Sequence, residues 1–227
     1  MFFMKNSINL ARRAHFFAIF LLAALLCACH TNKDDVSQEN FTRVIKNYLS
    51  ERGHLCLGKY DWPIRVSDQD AETTHSRDAI QLPVMEKLGL VKSTAMMLER
   101  TDNNGVKITA PGRQYELTAE GKKYYLHSPI VIAKGGETIT HEADFCVATL
   151  TLDKVISWEK PQTQGGETRS SVLYTYKIEP APFTKDADFQ RVFPMVTQAI
   201  NGAGTSPLRE GVRLTKDGWM AEKFFQR

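Results

Sequence analysis

Asp78-Ala-Ile-Gln-Leu-Pro-Val-Met-Glu-Lys-Leu-Gly-Leu-Val91 and Arg113-Gln-Tyr-Glu-Leu-Thr118-Ala-Glu-Gly-Lys-Lys-Tyr-Tyr125 are the two runs whose reading decides the fold. The first has apolar residues at helical spacing, is stopped by Gly89 and enters an extended segment. Met96 to Arg100 is a candidate strand, Asp102-Asn-Asn-Gly105 a turn, and Arg113 to Thr118 a second strand. Thr118 is placed to cap a helix that begins at once after it. A helix, a hairpin and a further helix within fifty residues predict a mixed α+β fold rather than an all-helical one.

The order "Leu-Gly-Leu-Val, hairpin, Tyr-Glu-Leu-Thr-Ala-Glu-Gly-Lys" resembles the wing region of winged-helix proteins, over about a quarter of the chain. That resemblance implies a winged-helix-like half over residues 39–127. It also raises DNA binding, which the residues do not support. A major-groove reader needs a helix with Arg, Lys, Asn or Gln outward and basic phosphate contacts. Here the helix offers Gln81, Glu86 and Lys87, carries Pro83 inside and has no basic stripe. A structural or protein-binding use of the segment is expected, with no nucleic-acid partner.

Working outward, Gln38 to Arg52 reads as an amphipathic helix on Phe41, Val44, Ile45, Tyr48 and Leu49, with Ser37 as N-cap and Gly53 as stop. Residues 128–227 change character. Pro129–Lys134, Ala143–Leu152, Lys154–Lys160 and Ser171–Glu179 are strand candidates rich in Val, Ile, Thr, Tyr and Phe. Lys134-Gly-Gly-Glu-Thr138 and Gln164-Gly-Gly-Glu-Thr168 nearly repeat, and Gly-Gly supplies the positive φ of tight hairpin turns. Asp186 to Ile200 reads as a helix kinked at Pro194, and Leu208 to Phe225 as a hairpin turned at Lys216-Asp-Gly218. The whole predicts an α+β fold: a winged-helix-like N-terminal half packed with an antiparallel β-rich C-terminal half that holds one helix.

The address of the chain is written at its start. Lys5, Arg12 and Arg13 precede an apolar run from Phe16 to Leu26, followed by Cys27-Ala28-Cys29. That run is about eleven residues, and the continuous apolar stretch that begins near Ala14 is about fifteen, where a membrane span needs roughly twenty. Leu26-Cys27-Ala28-Cys29 resembles the lipobox of bacterial lipoproteins. The resemblance implies a signal peptide over residues 1–28, lipidation at Cys29 and a polar tether over 29–38. Ala28 is a small residue suited to the position before the cleaved bond, so Cys29 rather than Cys27 is the expected lipid site. A simple secretory signal is the rival reading. His30 follows the cysteine and no inner-membrane retention signal is evident, so the resemblance implies a lipid-anchored protein of the outer membrane that faces the periplasm.

Lys5, Arg12 and Arg13 also account for the whole excess of 29 basic over 26 acidic residues. The mature chain is neutral, with no bulk electrostatic pull toward nucleic acid or anionic headgroups. Its two remaining cysteines, Cys56 and Cys146, are expected either as a disulfide or as two buried thiols. The disulfide is favoured in an oxidising compartment and closes a loop of about ninety residues, worth on the order of 4 kcal/mol by chain entropy.

No catalytic constellation stands out. His141-Glu142-Ala143-Asp144-Phe145-Cys146 is rich in metal-ligand types, yet strand alternation puts His141 opposite Asp144 and Cys146. Gly-x-Ser-x-Gly is absent, and Gly202-Ala-Gly204-Thr-Ser206 lacks the Lys of a phosphate loop. Neither a metal nor another cofactor is expected. Trp62, Trp158 and Trp219 are expected mainly in the core, with Trp158 as the partly exposed candidate for partner contact. The expectation is a non-catalytic accessory or binding role at the cell envelope, toward an envelope protein or a small ligand. The second half also resembles CpmK-type exported proteins of proteobacteria, linked by name to carbapenem resistance. That likeness implies a small-molecule or antibiotic binder, and a hydrolase of envelope polymers is a third reading.

Overall fold

The structure is a computed structural model that describes residues 32–69, 76–101, 105–134 and 136–225. The expected signal peptide, the lipid site Cys29 and the first residues of the tether lie outside the described residues, as do Asp102, Asn103 and Asn104.

Helix α1 (Gln38–Arg52) forms where the spacing placed it. Ser37 Oγ accepts from Asn40 N at 3.2 Å, and the Gly53 N–H closes the far end on Leu49 O. Phe41, Val44, Ile45, Tyr48 and Leu49 make its buried face. Ahead of it, residues 32–37 are bound to the body rather than trailing from it. Asn40 Nδ2 donates to Asn32 O at 2.7 Å and Asp35 O at 2.9 Å, Trp219 Nε1 donates to Asp34 O at 3.0 Å, and Lys33 Nζ reaches Lys216 O.

Ten strands follow in two antiparallel sheets. The small sheet has the order β2-β4-β3, from β2 (Ile64–Ser67), β3 (Val91–Thr101) and β4 (Lys107–Leu117), with helix α2 (Arg77–Lys87) leading into β3. The large sheet runs β1-β6-β8-β9-β10: β1 (His54–Cys56), β6 (Glu137–Trp158), β8 (Glu167–Pro180), β9 (Leu208–Thr215) and β10 (Gly218–Ala221). Strands β5 (Tyr125–Lys134) and β7 (Gln162–Gln164) are hairpin partners of β6 and β8. The Gly165-Gly166 turn closes the β7–β8 hairpin with Gln164 opposite Glu167, and β5 and β6 pair as far as Lys134 opposite Glu137, while Gly135 lies outside the described residues. Gly165 and Gly166, at φ 61° and 82°, have the left-handed backbone that such a turn needs.

Three expected elements come out differently. The separate strands 143–152 and 154–160 are one 22-residue strand, β6, because the break at Asp153 is a bulge and not a turn. Asp153 Oδ2 there accepts from the Thr175 hydroxyl at 2.8 Å, which fixes the irregularity to the neighbouring strand. The expected kinked helix is two helices, α3 (Ala187–Val192) and α4 (Pro194–Asn201), since Pro194 has no N–H to continue the ladder. The helix expected at Thr118 is only a 3-10 turn, Gly121–Tyr124. Thr118 Oγ1 does accept from Gly121 N, but Gly121 lies against Leu90, where an added Cβ would sit 1.9 Å from the Leu90 oxygen. Tyr124 then turns inward to meet Phe183 edge-on at 4.9 Å, and the chain continues as β5.

Two apolar clusters hold the elements together. In the first, Leu82 and Met85 of α2, Leu90 just ahead of β3, Val91 and Tyr115 of the small sheet, Phe145 and Val147 of β6, Phe189 of α3, Phe193 at the α3–α4 junction and Val196 of α4 share one core. In the second, the buried face of α1 packs on Val155, Val172, Tyr174, Val212, Trp219 and Ala221 of the large sheet. Helix α1 thus packs on the later part of the chain, while α3 and α4 pack with α2 and the small sheet. Residue 127 lies within β5. Cys56 and Cys146 are directly paired across β1 and β6 and are joined by a disulfide.

Candidate functional site

Helix α2 is straddled by two different environments. Met85 and Leu82 enter the core, while Arg77, Ile80 and Gln81 face a groove whose other wall is the start of α4. The groove holds about 380 Å³ and is mainly apolar. Leu57 and the bridged Cys56 also line it, with Val192, Phe193, Pro194, Met195 and Val196 across from α2. Ile80 and Met195 stand at 41% and 73% exposure, high for large apolar side chains. Its size lies within the range of small-ligand sites.

The polar groups beneath the groove are committed to one another. Lys59 is 3% exposed, and its ammonium binds the Asp78 carboxylate and Gln81 Oε1, the latter at 2.7 Å. Gln81 Nε2 in turn donates to Val192 O at 3.1 Å, so one amide joins Lys59, α2 and α3 and sets the spacing of the walls. Asp144 holds the segment that leads into the groove. Its Oδ1 accepts from Lys59 N at 2.8 Å and Phe145 N at 2.7 Å, and its Oδ2 from Gly58 N at 3.1 Å. Arg77 is different: its exposed guanidinium has no ion pair or hydrogen-bond partner among the described residues. No side chain caps the N-terminus of α4 beside it.

Burial is the main influence on Asp144 and pushes its carboxyl pKa up, against the opposing pull of its three N–H donors and of Lys59. A carboxyl with a raised folded pKa adds stability below its unfolded value near 3.9, and that contribution fades as pH rises through the folded value. Asp144→Asn removes this dependence and turns one oxygen, which accepts an N–H, into an NH2 group. We expect a loss of about 1–3 kcal/mol, larger at pH 3 than at pH 7, read from urea unfolding of both proteins at the two pH values. An equal loss at both would refute the assignment.

The other residues singled out in the sequence are dispersed. His141 Nδ1 lies 3.0 Å from Asp61 and its ring stacks on Tyr60 at 4.4 Å. Among the described residues no group of three or more His, Cys, Asp or Glu is arranged to hold a metal ion. Trp158 is half-buried, 5.2 Å from the Phe41 ring, at the margin of the second core. Glu210 is a second buried carboxyl with its pKa pushed up by burial, and Lys223 lies 3.4 Å from it. The cleft beside it, near His54 and Arg209, holds only about 160 Å³.

Sequence reasoning missed the groove because its walls are about 115 residues apart, between Ile80 and Met195. The available signal was Pro194: a helix that restarts there leaves Met195 on a fresh first turn, outside the apolar face that Phe193 and Val196 carry into the first core. Two hairpin surfaces were also missed. Met96, Met97, Val106 and Ile108 are exposed along β3 and β4 or their connection, and Ile130, Val131 and Ile139 along β5 and β6. No described helix is long and apolar enough to cross a membrane. Comparison with known proteins returns no matching family model, no similar curated protein and no similar solved structure.

Proposed function

We propose that this chain is a cell-envelope lipoprotein, anchored through Cys29 in the outer membrane and facing the periplasm, with a non-catalytic binding role. The α2–α4 groove carries the binding reading: it is an apolar concavity of ligand size whose underlying Lys59, Asp78 and Gln81 are already satisfied by one another. Groups held in that way position a wall rather than transfer protons, because a general acid or base must reach the substrate. The Leu26–Cys29 run supports the anchor.

The strand order β2-β4-β3 behind α2 supports the winged-helix-like reading of the first half. In a DNA reader the corresponding helix turns its polar face outward into the major groove. Here Ile80 and Gln81 of that helix face α4, which supports a use other than nucleic-acid recognition. The exposed residues of the two hairpins favour a second reading, an envelope protein as partner.

Native mass spectrometry of the protein taken from its own membranes, combined with cross-linking in intact cells, tests the proposal. A low-mass species retained on the chain, and a diacylglycerol-modified Cys29 at the mature N-terminus, are the expected results. A protein cross-linked to the hairpins, with the groove empty, would establish the second reading instead. An unmodified N-terminus at another residue would remove the anchor.

A further inference from the structure

We propose that the α2–α4 groove takes a small anionic amphipath, one apolar chain ended by a carboxylate, with Arg77 meeting the carboxylate; this rests on the binding reading above. The chain's place is set by Leu57, Ile80, Val192, Phe193, Met195 and Val196, which offer dispersion contacts and no competing charge. A partner helix is about 10 Å across with its side chains, so a groove of about 380 Å³ suits a single thin chain better.

Charge complementarity selects the head group. Lys59 lies close by but its ammonium is neutralised by Asp78. Arg77, which lines the groove, has no acidic partner among the described residues, and none of the residues lining the groove is acidic. Its guanidinium presents two parallel N–H groups, the geometry that matches a carboxylate. The start of α4, which no side chain caps, also lines the groove and adds potential of the same sign. A cationic or neutral head group meets neither feature. Anion and apolar chain are therefore recognised by adjacent parts of one groove.

The chain from His30 onward contains every described residue and serves as the test protein, with its methionine methyl groups labelled for NMR. Sodium decanoate is titrated below its micelle concentration, with decyltrimethylammonium as the oppositely charged probe of equal chain length. Decanoate is expected to move the Met195 methyl resonance with 1:1 saturation and to leave Met96 and Met97 in place. Arg77→Gln should weaken decanoate about tenfold, the size of one charge-assisted hydrogen bond, and Ile80→Glu should abolish binding. Decyltrimethylammonium should bind at least about tenfold more weakly than decanoate. If both amphipaths bind equally, or Arg77→Gln changes nothing, the carboxylate assignment is overturned while the groove remains a binding site. If neither moves Met195, or Met96 and Met97 shift equally, the groove is not an amphipath site and this proposal fails. The retained species in native mass spectrometry then decides the broader binding reading separately.

Discussion

Replacing Cys56 and Cys146 together with alanine is expected to lower the unfolding free energy by on the order of 4 kcal/mol. The two residues are 90 apart in sequence, and the bond between them removes the conformational freedom of that whole loop from the unfolded chain. The folded state loses less, because β1 and β6 keep their backbone pairing at His54–Thr149 and Leu55–Ala148. Urea unfolding of the wild type and of the double variant, each followed by far-UV circular dichroism, measures the difference. Addition of a reductant should bring the wild type close to the variant and leave the variant unchanged. A loss below about 1 kcal/mol would show that the closed loop is already restrained when unfolded.

Phe41→Ala carries the other large expected effect, about 3–5 kcal/mol. Phe41 is fully buried, and its ring sits between Trp158 at 5.2 Å and Trp219 at 5.3 Å. Alanine leaves a cavity between two indoles that are themselves fixed to the sheet, so the site cannot collapse freely. Helix α1 then loses its central contact with β10, and the binding of residues 32–37 through Trp219 weakens with it. The two tryptophans should lose their near-UV signal well before Trp62, which belongs to the other cluster. Phe41→Leu should cost less than half as much. Should alanine cost under about 1.5 kcal/mol, the aromatic sandwich would not be a main support of α1.

Local chemistry was the part of the structure most legible in the sequence. Helix α1 was readable to its caps because Ser37 and Gly53 act on neighbours three or four residues away. The Gly165-Gly166 turn was readable because tolerance of positive φ is a property of the residue itself. The α+β class and the antiparallel second half followed from the same periodicities. The end of β4 was less legible: Thr118 does cap Gly121, yet contact with Leu90 and the pull of Tyr124 toward Phe183 override the local helix signal. Asp153 shows the same limit, since a polar residue in a strand reads as a turn until its partner Thr175 is known.

The candidate site was far less legible than the fold. Arg77, Ile80 and Met195 are unremarkable where they stand, and only the docking of α4 on α2 makes them neighbours. The two cysteines were the exception, because their chemistry restricted the choice to pairing or burial. Lys59 was also hidden, since a lysine in a polar loop gives no sign that Asp78 and Gln81 will draw it to 3% exposure.

The bound segment from Asn32 to Ser37 has a consequence for how far the protein can reach. Asn32 is held by Asn40, so under the proposed anchorage only three links separate the described body from Cys29, about 10 Å at full extension. In the proposed lipoprotein so short a link would hold the body directly against the bilayer, with the β9–β10 turn at Lys216 on the membrane side. Such a body would meet what leaves or enters the leaflet beneath it and not what lies across the periplasm.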